Sequence, residues 1–138
     1  MKTFLCAILI CAVTAAGENS DVLKELASIH DFAFGGIGAA GTTSKGEIAF
    51  RQVLQRPSAE KDFVDLLATG NAQARCYALV ALHGLNPALY AERVRQFEGD
   101  QSKVTTIGGC MITDQPMASV VTNISNGRYD SYLKAKER

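Results

Sequence analysis

Three kinds of residue in this chain could do chemistry. Gly36, Gly38 and Gly41, within GGIGAAG at 35–41, match G-x-G-x-x-G, the spacing that holds a dinucleotide pyrophosphate. Cys110, after Gly108 and Gly109, could present a thiolate on a tight turn with His30 or His83 as its base. Cys76, His83 and Cys110 could share a metal, although a fourth ligand has no candidate. Each needs a particular structural setting, and the surrounding residues speak against the first. A nucleotide fingerprint needs a buried strand before it and a helix opening at its third glycine. Here IHDFAF at 29–34 continues a helical stripe with two polar residues in it. Ser44, with Glu47 three residues on, places the next helix start beyond Gly41. Thr42 stands where a phosphate-binding loop of the G-x-x-x-x-G-K kind requires lysine. The stretch at 35–43 is therefore expected to be a turn or mobile connection between two helices, and no cofactor is expected. Acidic pairs such as Glu60 with Asp62 read as solvated helix faces.

The cysteines also have a structural reading. MKTFLCAILICAVTAA at 1–16 has Lys2, then an apolar run, then small residues, as in a secretory signal peptide. Cleavage is favoured after Ala16, with Ala15 the alternative. Its apolar run is shorter than the roughly 20 residues a membrane-spanning helix needs, and no second span follows. The mature chain is expected to be secreted or periplasmic and to form one domain over 17–138. Cys6 and Cys11 leave with the signal, so Cys76 and Cys110 remain as an even pair expected to form a disulfide. Closing that loop would stabilise the fold by about 3 to 4 kcal/mol in the loop-entropy account. Asn123, in Asn123-Ile124-Ser125, is a glycosylation acceptor if the source is a eukaryote.

Charge narrows the partners. Fourteen basic residues balance fourteen acidic ones, and Lys2 is the one charge in the signal. Such a balance leaves no basic face for nucleic acid and no polybasic patch for an anionic membrane. A protein partner is expected.

The elements that must position these residues read as helices. Asn19 and Ser20 can cap a first helix whose stripe, Val22, Leu26, Ile29 and Ala33, runs to about Phe34. Ser44 caps a second from Lys45 to Arg56. Phe63, Leu66 and Leu67 mark a third that stops at Gly70, and Asn71 caps a fourth from Ala72 to Leu85. Asn86 with Pro87 opens a fifth, with Leu89, Tyr90, Val94 and Phe97 inward. VTTIGGCMIT at 104–113 is β-branched and reads as a short strand or an extended strap. Pro116 starts a last helix that Asn126 and Gly127 end, and Tyr129, Tyr132 and Leu133 offer a final anchor. The expected fold is all-α, five or six short helices in stacked antiparallel pairs, with one extended segment near 104–113.

NAQARCYALVALHGL at 71–85 carries Arg75, Ala78, Ala81 and Leu82 in the order of the second helix of a HEAT-type repeat. With the preceding helix, residues 58–85 resemble one such repeat, although His83 stands where the family has glycine. The resemblance implies stacked helix pairs, an arginine at 75 that ties neighbouring turns together, and a protein-binding surface. Arg75 and His83 are thus the candidate interaction or packing residues. The functional expectation is an exported helical protein-binding or structural module without catalysis. The alternatives are an enzyme of another class using Cys110 and His83, and an envelope inhibitor or immunity-type protein.

Overall fold

The computed structural model describes residues 15–134. The signal-peptide expectation rests mainly on residues 1–14, which lie outside that range. Six helices are present: α1 (Ala15–Ala27), α2 (Lys45–Leu54), α3 (Ala59–Thr69), α4 (Ala72–Leu85), α5 (Pro87–Arg93) and α6 (Met117–Ser125). A 3-10 turn, Val94–Phe97, continues α5, and another, Asp130–Tyr132, lies in the tail. Between them stand two antiparallel hairpins, β1 (Gly36–Ile37) with β2 (Thr42–Thr43), and β3 (Lys103–Gly108) with β4 (Met111–Pro116). The fold is therefore mixed α/β, which corrects the all-α expectation. No helix among the described residues is long and apolar enough to cross a membrane.

The helix starts follow from local chemistry. Ser44 Oγ accepts from Glu47 N–H at 3.0 Å, Asn71 Oδ1 from Ala74 N–H at 2.9 Å and Asn86 Oδ1 from Leu89 N–H at 3.1 Å. Each satisfies a donor that a helix start leaves without an intrahelical partner. Pro87 follows Asn86 at the first helical position, where its missing N–H costs nothing. Gly127, with φ +78°, turns the chain out of α6.

Helix α4 is the centre of the molecule. Ala74 and every residue from Cys76 to Leu82 are buried, because α4 packs against α3, α5, α6 and the hairpin β3–β4. Alanine at 74, 78 and 81 keeps its surface narrow enough for that many neighbours. One end of this core is aromatic, with Phe32, Phe34, Phe50, Tyr77, Tyr129 and Tyr132 meeting largely edge to face. The tail anchor expected at Tyr129, Tyr132 and Leu133 thus closes the core.

The first helix departs from its sequence reading. It ends at Ala27 instead of near Phe34, and Phe32 bridges to β3 at Thr106. Phe32 N–H donates to Thr105 O at 2.8 Å, and Ile107 N–H donates to Phe32 O at 3.1 Å. Tyr77 Oη, with no exposure, accepts from Ala33 N–H at 3.0 Å and donates to Ala33 O at 2.9 Å. Burial pushes the Tyr77 hydroxyl up to about 12. These long-range bonds replace the helical ones the segment would otherwise have made.

Candidate protein-binding surface

The glycine stretch is fastened at both ends. Gly35, Gly38 and Gly41 have positive φ, whereas Gly36, the first glycine of the fingerprint, does not. The Gly35 amide donates to Glu47 Oε2 at 2.8 Å, and the Gly38 amide donates to Gly109 O at 2.9 Å. Gly41 N–H closes the turn onto Gly38 O at 3.2 Å. A bound phosphate would need such amides, and here three are already engaged. The expected mobile connection is instead the small hairpin β1–β2, docked through Ile37 beside Gly109 at the tip of β3–β4.

That second hairpin is the most exposed apolar feature of the described residues. Gly109, at φ +58°, and Cys110 form its two-residue turn, and no non-glycine residue among those described has positive φ. A glycine at the first turn position followed by a residue of ordinary φ is a type II′ turn. The register then pairs Ile107 with Ile112, Thr106 with Thr113 and Thr105 with Asp114. Side chains lock it. Thr106 Oγ1 donates to Thr113 O at 3.0 Å and accepts from Gln115 Nε2 at 2.9 Å. On the other face, Asp114 accepts from Thr105 Oγ1 at 2.8 Å and from Lys103 Nζ at 3.1 Å. The Thr105 hydroxyl first, and Lys103 second, hold the Asp114 carboxyl below the ordinary carboxylate range.

The two edges of this hairpin differ. Thr105 and Ile107 bond outward to Phe32, so β3 is covered on its far side. In an antiparallel ladder, residues opposite outward-facing ones also face outward, which assigns Ile112 and Asp114 of β4 outward backbone N–H and C=O groups with no partner among the described residues. Met111 is 73% exposed and Ile112 71% exposed. Edge strands are ordinarily protected by lysine, an internal proline, a bulge or a covering element. Strand β4, MITDQP, has proline only at its last position and no lysine. The result is a six-residue strand edge with an apolar tip.

The remaining sequence candidates are scattered. Cys76 is buried, with its sulfur 3.3 Å from Met117 Sδ, and Cys110 is exposed in the hairpin turn. Both are free, so the disulfide expected between Cys76 and Cys110 is not formed in this structure. Spacing alone could not show that α4 would bury one sulfur while the type II′ turn pointed the other into solvent. Burial raises the Cys76 thiol far above its ordinary range. In a chain beginning at Gly17, one thiol should therefore react with an aromatic disulfide reagent when native and two when unfolded, each releasing one equivalent of aromatic thiolate. Rapid reaction of both cysteines in the native chain would contradict this burial.

His83 Nδ1 lies 2.8 Å from Asp130 Oδ1, with its ring edge-on to Tyr90, whose hydroxyl meets Ser125 Oγ at 2.6 Å. No hydrogen bond joins His83 to Cys110, and His30 is exposed just beyond α1. Among the described residues, no three His, Cys, Asp or Glu side chains converge to hold a metal. Asn123 is half-buried on α6, lining a cleft of about 220 Å³ with Gln115, Arg128 and Tyr129. Met111 and Ile112 lie in the segment whose β-branched residues read as a short strand or an extended strap, a reading that does not single them out. The available signal was the Gly108-Gly109 pair flanked by β-branched residues, which marks a hairpin and hence a second, outer strand. No protein family, curated protein or solved structure matches the chain.

Proposed function

We propose that this chain is an exported, non-catalytic protein-binding module that receives an extended segment of its partner along β4. The carrying observation is the uncovered edge of β4, with exposed Met111 and Ile112 beside it. Added strands take affinity from main-chain hydrogen bonds and selectivity from alternate side chains. The groups offered are the Ile112 and Asp114 backbones, and the row formed by Ile107 and Ile112 favours apolar residues at alternate partner positions. Lys103 and Asp114 neutralise each other, so charge contributes little to the choice. The resemblance of 58–85 to a HEAT-type repeat, a family that generally binds proteins, is consistent with this reading. An envelope inhibitor would use the same edge against an enzyme, and the class of the recovered partner separates the two.

Ile112 makes the reading testable without disturbing the hairpin. Its amide faces away from β3, so Ile112→Pro removes an outward donor and leaves the β3–β4 bonds in place. Ile112→Lys places a charge where a partner strand would lie. Ile112→Lys should unfold within about 0.5 kcal/mol of the parent, as surface changes generally do, and Ile112→Pro should remain folded, at a cost set by its fixed φ. A displayed library of ten-residue peptides should yield extended, alternately apolar binders of the parent. Both variants should bind them roughly tenfold or more weakly, a loss of about 1.4 kcal/mol. No enrichment on the parent, or equal binding by both variants, would overturn the proposal.

A further inference from the structure

A second site lies in the helical part of the molecule and uses none of the residues of the β4 edge. Helix α3, the start of α4 and the end of α5 with its 3-10 turn line a solvent-open pocket of about 240 Å³. Val64, Leu67 and Phe97 supply apolar wall, and Arg75, Arg93 and Gln96 supply the polar lining. Two arginines therefore line one small space. Neither makes an ion pair among the described residues, where no carboxylate oxygen lies within 4.0 Å of either. Arg75 Nε is moreover buried without a hydrogen-bond partner. A buried donor left unpaired keeps its full desolvation cost, and two like charges on one cavity add their repulsion.

The carboxylate that acts on Arg75 from nearby is already occupied. Asp100 Oδ1 accepts from Ser102 N–H at 2.8 Å, and the Ser102 contacts, ahead of Arg75, are what hold its carboxyl below the ordinary range. Asp100 thus acts on Arg75 only through space, and no carboxylate of the described chain bonds either arginine directly. Guanidinium donors match the oxygens of carboxylate and phosphate groups in a planar fork. The cavity is smaller than the roughly 300 to 1,000 Å³ of sites that enclose drug-sized molecules. It suits a single anionic group.

We infer that the cavity between α3, α4 and α5 binds an oxyanion, a phosphate or a carboxylate group, between Arg75 and Arg93. The two sources of this chemistry are distinguished by titrating the chain with inorganic phosphate and with acetate, each against chloride at matched ionic strength. Saturable binding by calorimetry, with a matching rise in Tm, is the expected result for at least one of them. A response to phosphate assigns a phosphoryl group, and a response to acetate alone assigns a carboxylate. Arg93→Gln, at an exposed position on the last turn of α5, should weaken binding roughly tenfold or more while leaving the fold intact. Arg75→Gln should do the same and provides the second variant. Neither anion exceeding chloride, or Arg93→Gln binding as tightly as the parent, would overturn the inference.

Discussion

Gly46→Ala should lower the stability of this protein by about 2 to 3 kcal/mol, against the direction that helix propensity alone would give. Gly46 is the second residue of α2, where alanine would be favoured over glycine by up to about 1 kcal/mol. A Cβ at this position would stand 2.7 Å from Tyr77 Cζ and 2.8 Å from Tyr77 Cε2, closer than side chains pack. Tyr77 cannot withdraw easily, since it is fully buried against Phe32, Phe34 and Phe50 and its hydroxyl is held by both backbone groups of Ala33. Overpacking of this kind costs about 1 to 3 kcal/mol, and each hydrogen bond lost on displacing the ring adds about 0.5 to 1.5 kcal/mol. These terms together exceed the propensity gain. Equilibrium urea unfolding measures the difference, and an unchanged or higher midpoint would show that the ring moves freely. Combining Gly46→Ala with Tyr77→Phe should cost less than the two single changes added, because the phenylalanine no longer holds Ala33 and can retreat.

Glu47→Ala should cost about 2 to 3 kcal/mol and should also loosen a segment distant in sequence. The Glu47 side chain is 4% exposed. One oxygen accepts from the Gly35 amide at 2.8 Å, and the other takes the Arg51 fork at 3.0 and 2.6 Å. Removing the carboxylate strands a part-buried amide, which costs about 1 to 3 kcal/mol. Arg51 is one-third exposed and recovers much of its loss from water, so its share is small. The loss of an acidic group from the first turn of α2 adds a few tenths of a kcal/mol through the helix dipole. Hydrogen exchange separates this account from a simple loss of helix stability. The Gly35 and Gly38 amides should exchange faster in the variant at equal global stability, since β1–β2 has lost its tie to α2. Unchanged exchange there would contradict the proposed fastening.

Glu47 also shows where reading the sequence stops. Ser44-x-x-Glu47 marks the start of α2 correctly, and Ser44 makes the expected cap. The capping-box pattern predicts that the glutamate returns to the amide of Ser44. It takes the Gly35 amide instead, because the chain before α2 doubles back and presents a donor that no local pattern contains. A similar division separates the two hairpins. The β-branched run at 104–113 was recognisable as extended, while the pairing of Ile37 with Gly109 depended on the glycine segment arriving beside the turn.

The sequence by itself determined the local punctuation of this protein. Caps at Ser44, Asn71 and Asn86, the proline at 87, the stop at Gly70 and the turn at Gly109 each depend on a side chain or a φ angle acting within about four residues. Tertiary structure decided everything that required two distant segments to compete for one neighbour. Residues 29–34 carry a helical stripe, yet Thr105, Ile107 and Tyr77 offered their backbone better partners in a non-helical form. Cys76 and Cys110 form an even pair on paper, yet one is sealed beneath α6 and the other stands on a turn. Arg75 stood out in the sequence only as a repeat-like packing residue and Arg93 not at all, until α3, α4 and α5 brought both to one pocket. Periodicity records only which face of a segment is apolar, whereas the partner of that face is chosen by packing across the whole chain.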